Sequence, residues 1–190
     1  AFDDHEQVVF CSDPDVGLKA IIAIHSTALG PAAGGCRMWN YASDEEALVD
    51  ALRLSRGMSY KNAMAGLALG GGKSVIIGDA KKDKTPELMR AFGRFVERVA
   101  GQYITAEDVG MSTADMAYVR EETSYVVGLD SGAAASGDPS PYTAHGVFSG
   151  VRAALRAKVG HDDLKGVKVA IQGLGNVGFN LARELANAGA

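Results

Sequence analysis

The stretch Leu67–Asp79 reads LALGGGKSVIIGD, and the reading of its lysine decides what kind of α/β protein the chain encodes. Glycines, a lysine and a serine in a row suggest a nucleotide-triphosphate loop. Such a loop needs G-x-x-x-x-G-K-[ST] between a strand and a helix, because backbone N–H groups and the helix N-terminus hold the phosphates together. Six places before Lys73 stands Leu67, with Gly66 one position too early, and Val75, Ile76 and Ile77 follow Ser74 in a β-branched strand pattern. Lys73 therefore enters a strand from a glycine turn, as an ordinary surface lysine beside a turn or as a working one.

Composition narrows the classes. The chain has 190 residues, 47% hydrophobic and 22% charged, with mean hydropathy near zero, as expected for an ordinary globular protein of one domain or two small ones. A net charge of −4 offers no basic face for nucleic acid, and the apolar run around Ala20–Ile24 is too short to span a bilayer. The acidic opening AFDDHEQ lacks the features of a signal peptide, so the cytoplasm is the expected location. Cys11 and Cys36 are far apart and read as small buried hydrophobes; His5, His25, His145 and His161 are scattered, so no structural metal is expected.

Outward from the opening stretch, strands and helices alternate. Gln7–Cys11 and Leu18–Ser26 read as a hairpin around SDPDVG. After the glycine-rich Leu29–Trp39, Ser43 and Glu46 form a capping box ahead of a helix with Leu48, Ala51, Leu52, Ser55 and Met58 at helical spacing, leading towards Lys61. Lys81–Lys84 reads as a solvated loop, and Thr85–Pro86 start a second helix stopped by Gly101. A strand over Gln102–Ala106 carries Asp108 just past its C-terminal end, followed by a helix capped by Ser112 and Asp115 and a strand over Tyr125–Leu129. The alternation predicts an α/β fold with a largely parallel sheet, whose ligands gather beyond the carboxyl ends of the strands.

The segment Ser131–Pro141 is rich in small residues and proline and marks the expected boundary between domains at 1–140 and 141–190. A helix over Tyr142–Lys158 and an apolar strand over Val167–Gln172 follow. GLGNVG, Gly173–Gly178, then opens a helical pattern, which is G-x-G-x-x-G in strand–turn–helix context. The first glycine serves the turn, the second the approach of pyrophosphate and the third helix–strand packing. The alternative is a glycine turn that merely packs a helix. One strand and one helix do not make a dinucleotide domain, so the chain is either part of a longer one, the favoured expectation, or needs partner chains to complete a sheet.

Lys61 and Lys73 flank one glycine-rich connection, and Asp108 ends a later strand. If they converge, one ammonium can pair with a substrate carboxylate while repulsion and partial burial lower the pKa of the other, which can then serve as a general base. An ordinary Lys–Asp ion pair that stabilises the turn is the competing reading.

Five motifs, GPAAGGCRMW, RGMSYKNAMAGLALGGGKSVIIGD, YITAEDVG, SGDPSPYTAHGVF and GLGNVGFNLA, stand in an order and spacing that resembles the amino-acid dehydrogenases of the glutamate/leucine/phenylalanine/valine family. The resemblance is strongest to the leucine branch and covers Glu6–Ala190. It implies an N-terminal α/β substrate and oligomerisation domain, followed by the start of a Rossmann dinucleotide-binding domain. By similarity, Lys61 binds the substrate α-carboxylate, Lys73 is the catalytic lysine and Asp108 assists proton transfer. Gly34 and Gly35 line the substrate site, with Ala33, Met58 and Ala106 at its side-chain pocket. Thr143 contacts the nicotinamide amide, and Gly173, Leu174, Gly175, Asn176, Val177, Gly178 and Phe179 hold the pyrophosphate.

The implied reaction is oxidative deamination of an L-amino acid to its 2-oxo acid and ammonia with NAD, NADP remaining open, by a homo-oligomer. The leucine-type pattern has a leucine where this chain has Ala33, which widens the pocket towards aromatic substrates; Met58 and Ala106 favour branched aliphatic ones. Leucine or valine ranks ahead of phenylalanine or tryptophan. A non-catalytic dinucleotide-binding or interaction module is the reading from another class.

Overall fold

The computed structural model describes residues 3–130 and 137–190, and the chain divides into two compact units, one up to Gly137 and one from Asp138. The proline-poor half of the expected boundary, residues 131–136, lies outside the described residues.

The first unit is built on a five-stranded sheet: β1 (Gln7–Asp13), β2 (Leu18–Ser26), β3 (Ala32–Trp39), β4 (Gly70–Ile77) and β5 (Tyr103–Glu107), in spatial order β1-β2-β4-β3-β5. The expected hairpin is present as the antiparallel pair β1–β2, with Gly17 at φ +72° closing its turn. β2 also runs antiparallel to β4, whereas β3 is parallel to both β4 and β5. Four of the five strands thus share one direction, and β2 alone opposes them.

Period-two alternation decides which side chains each face of the sheet receives. Leu18, Ala20, Ile22 and Ile24 of β2 enter a core with Cys36, Met38, Ile76 and Tyr103, closed by helices α2 (Pro86–Arg98) and α3 (Thr113–Arg120) through Phe92, Val96, Met116 and Val119. Ile21 and Ala23 point the other way, to Val75 and helix α1 (Asp44–Met64). Each fully buried large apolar side chain there, such as Phe92 or Ile22, contributes about 1.5–3 kcal/mol.

Helix α1 presents small residues, Ala47, Ala51 and Ser55, to the sheet and approaches it closely. A Cβ on Gly71 would collide with Ser59 and lie 2.5 Å from the Ser55 carbonyl oxygen. Ser43 caps the helix by accepting from Glu46 N–H at 3.1 Å, but the Glu46 carboxylate reaches back to Ala42 N–H at 2.7 Å rather than to Ser43. The capping box at Ser112 and Asp115 is complete in both directions.

Several local expectations are corrected. Gly70, Gly71 and Gly72 are the first residues of β4 and no turn, so Lys73 is the fourth residue of a central strand. The glycine-rich Leu29–Trp39 contains β3, which low-propensity residues hide in the sequence and which exists because it is paired on both sides. Lys84 of the expected solvated loop donates to the Gly110 carbonyl at 2.9 Å and to Asp115 at 2.7 Å. Residues 125–129 form no ladder among the described residues but isolated bridges, one of them Thr105 to Val126 in parallel.

The second unit consists of α4 (Ser140–Val159) and α5 (Asn176–Asn187) around a small core of Ala144, Leu164, Leu181 and Leu185. The expected strand Val167–Gln172 forms no ladder: a strand needs a neighbour, and no other strand of this unit occurs among the described residues. No helix among the described residues is long and apolar enough to cross a membrane.

The tight α1–β4 contact gives a signed pair of expectations in urea unfolding. Gly71→Ala overpacks the contact and destabilises by about 1–3 kcal/mol. Gly57→Ala, in α1 with nothing within 4 Å of the added Cβ, stabilises by up to about 1 kcal/mol.

Candidate active site

A single row across the sheet places the key lysine. Ala23 of β2 lies opposite Lys73 of β4, and Gly35 of β3 lies opposite Ala106 of β5. The pairs Ala33–Gly71 and Cys36–Ser74 fix the parallel register so that Gly35 stands beside Lys73. The lysine is flanked on both sides by residues with almost no side chain. Helix α1 lies over β2 and β4 and covers β3 only at its margin, so Ala33, Gly35, Arg37, Ile104 and Ala106 remain partly exposed as the floor of a recess.

Lys73 is 5% exposed, and an ammonium so buried requires an anionic partner. Asp108 supplies it: Lys73 Nζ lies 2.8 Å from Asp108 Oδ2. The Arg37 guanidinium reaches the same oxygen through Nε at 3.0 Å. Burial opposes ionisation of Asp108, yet the charges and hydrogen bonds of Lys73 and Arg37 outweigh it and hold the carboxyl below the usual carboxylate range. Asp108 is fixed by its own loop. Met111 N–H donates to the Asp108 carbonyl at 2.9 Å, Met38 N–H to that of Val109 at 2.9 Å, and Gly110, at φ +82°, passes where any Cβ would strike the Met38 carbonyl.

The two glycines of β3 are required sterically. A Cβ on Gly34 would collide with the Gly72 carbonyl oxygen and lie 3.1 Å from Met58 Cγ; one on Gly35 would lie 2.5 Å from the Glu107 carbonyl and 2.9 Å from Asp108 Cβ. Beneath them Tyr103 OH donates to the Gly34 carbonyl at 2.6 Å and lies 2.9 Å from Ser74 Oγ. Burial pushes the Tyr103 phenol well above its usual range, so it remains a donor, and pushes the neighbouring Cys36 thiol up to about 12.

The structure thus brings Lys73, Asp108, Gly34, Gly35, Ala33, Met58 and Ala106 to one side of the sheet around the recess. Lys61 sits on the last turn of α1, exposed and without an ion-pair partner among the described residues. The adjacent Asn62 pins that turn by donating to the Gly70 carbonyl at 2.6 Å. Sequence reasoning missed Arg37, Asp50, Tyr41 and Tyr103. The available signal for Arg37 was its place two residues beyond Gly35, the same face of a strand.

In the second unit Gly173 adopts φ +89°, and a Cβ on Gly178 would collide with its carbonyl, so turn and helix meet in direct contact. Helix α5 follows its N-cap Gly175 with no capping side chain, leaving the first N–H groups open to an anion. Leu174 and Phe179 are exposed, and Thr143 is exposed on the first turn of α4.

A family model described as Glu/Leu/Phe/Val dehydrogenase, dimerisation domain, matches residues 5–125, and one described as Glutamate/Leucine/Phenylalanine/Valine dehydrogenase matches residues 136–190. The leucine dehydrogenase of Bacillus subtilis is 58% identical over 98% of this chain and 51% of its own length. The phenylalanine dehydrogenase of Bacillus thermotolerans is 54% identical over 98% and 49%. Among solved structures, the L-tryptophan dehydrogenase of Nostoc punctiforme superposes with a TM-score of 0.72 at 48% identity, over 97% of this chain and 52% of the other. The chain spans about half the length of the curated relatives it matches.

The lowered Asp108 pKa ties stability to pH. Its ionic contribution is fully present above the ordinary aspartate range and is lost as pH falls through the lower folded value. Asp108→Asn is therefore less stable than the parent at neutral pH and loses less stability on acidification, in denaturant titrations from pH 7 down to about pH 3.

Proposed function

The chain belongs to the Glu/Leu/Phe/Val dehydrogenase family, and on that premise we propose that it carries the substrate side of an NAD-dependent oxidative deamination of an L-amino acid. The observation that carries this reading is the buried Lys73 ammonium on Asp108, set in a row of minimal side chains at the floor of an open recess. A structural ion pair alone gives no reason for glycine and alanine on either side; an amino acid that must bring its Cα to Lys73 does.

In this reading the exposed ammonium of Lys61, which has no ion-pair partner among the described residues, takes the substrate carboxylate, and the glycine backbone of β3 lets the substrate lie close to the sheet. The nicotinamide, when bound, supplies the acceptor for the α-hydrogen. The Lys73 side chain acts on the resulting imine in its neutral amine form: it takes a proton from the attacking water, becomes the ammonium that Asp108 balances, and returns that proton to the leaving amine. The 2-oxo acid and ammonia are the products. The second unit fits the pyrophosphate through Gly173–Phe179, with Thr143 towards the nicotinamide amide; the left-handed Gly173, the Gly178 contact and the uncapped start of α5 support that assignment.

For the substrate we place branched aliphatic amino acids first, since Met58 lies beside Gly34 and a relative named leucine dehydrogenase stands at 58% identity. Aromatic substrates are the second reading, favoured by the small Ala33. The likeness extends to an oligomer built through the first unit, in line with the matched dimerisation domain.

Two measurements on the full chain test the proposal. Lys73→Met keeps dinucleotide binding and loses roughly 100- to 10,000-fold in turnover; normal turnover in that variant contradicts the assignment. Reduced-nicotinamide formation is faster with leucine and valine than with phenylalanine and tryptophan, whereas equal rates for all four contradict the ranking.

A further inference from the structure

The carboxylate that holds Lys73 is itself held by a residue with no role in the reaction outlined above. Arg37 bridges two carboxylates from two different elements. Its Nε meets Asp108 Oδ2 at 3.0 Å, and its Nη1 meets Asp50 Oδ2, on α1, at 2.9 Å. Tyr41 OH donates to the same Asp50 oxygen at 2.7 Å. Burial and the Asp50 carboxylate push the Tyr41 phenol upward, so it stays a donor. The guanidinium is therefore anchored at its far end before it meets Asp108.

Lys73 and Arg37 both bind Oδ2, and Asp108 Oδ1 accepts no hydrogen bond among the described residues. Arg37 meets Asp108 through Nε alone and Asp50 through Nη1, so the anchored guanidinium holds Oδ2 beside Lys73, and Oδ1 is left for another partner. We infer that Arg37 is a positioning residue for the proposed deamination: anchored by Asp50 and Tyr41, it orients Asp108 and balances the charge of the Lys73–Asp108 pair. This inference rests on the dehydrogenase reading of the same site.

The charge count gives the sign. Lys73 and Arg37 against Asp108 and Asp50 sum to zero. The other titratable or charged groups around Asp108 are Cys36 on β3, Tyr103 and Glu107 on β5, Tyr41 after β3, and the Asp115–Lys84 ion pair, whose two charges cancel. Cys36, Tyr103 and Tyr41 are pushed upward and stay protonated near neutrality. Taking away Arg37 leaves the cluster one charge more negative, so the Lys73–Asp108 pair holds its proton more tightly. Taking away the Asp50 charge does the opposite.

The test is the titration of the Asp108 side-chain carboxyl, followed by carbon-detected NMR in the full chain and identified by its loss in Asp108→Asn, alongside the pH profile of kcat/KM. In Arg37→Gln, Asp108 titrates about one pH unit higher, and the acid limb of kcat/KM moves the same way. In Asp50→Asn both move lower, and Arg37→Lys, which restores the charge, stays near the parent in titration. Asp50→Asn also serves should Arg37→Gln fail to fold. An unchanged Asp108 titration in the folded variants, or shifts of one sign in both, overturns the inference. A limb that stays put while Asp108 moves overturns it too. A parent with no turnover on any amino acid defeats the dehydrogenase reading instead, while opposite shifts of Asp108 in the two variants would still uphold the placement of Arg37.

Discussion

A lysine ammonium 5% exposed in the middle of a central strand is the constraint on which the site depends. Removal of such a charge from water costs several kcal/mol unless an anion meets it with good geometry. Here the anion arrives from the far end of β5, through a loop that Gly110 allows to fold onto β3, and it is shared with Arg37. The alternating cations and carboxylates Lys73, Asp108, Arg37 and Asp50 tie β4, β5, β3 and α1 into one electrostatic unit. The fold and the chemistry are coupled at this point, since anything that moves Asp108 uncovers the lysine charge.

The glycines serve the same end from the steric side. Gly71 lets α1 sit against β4, which brings Asp50 within reach of Arg37 and places Lys61 on the turn that Asn62 pins. Gly34 and Gly35 allow β3 to run between two neighbours while leaving room above it. A strand rich in glycine and alanine pays little into the hydrophobic core, and the large side chains of α2, β2 and Tyr103 on the opposite face make up the difference.

Much of this was legible in the sequence. The hairpin, the three helices with their caps and the location of Asp108 past the end of a strand follow from periodicity and capping residues, because those signals are local. What was not legible depends on pairing. GPAAGGC carries no strand propensity and becomes β3 only between β4 and β5; GGG reads as a turn until β2 and β3 pair with it. Val167–Gln172 shows the converse, an apolar segment with strong propensity and no neighbour to bond. Arg37 escaped notice for a related reason: its partners Asp50 and Asp108 lie 13 and 71 residues away, and only the register of the sheet brings them together.

The most direct measurement of the central claim is a crystal structure of the full chain with NAD and a branched 2-oxo acid. The account predicts the ligand over Gly34 and Gly35, its carboxylate on Lys61 and its carbonyl oxygen within hydrogen-bond reach of Lys73 Nζ, with Asp108 still on Arg37. A ligand bound elsewhere, with Lys73 engaged by Asp108 alone, would contradict it and leave the lysine a structural charge.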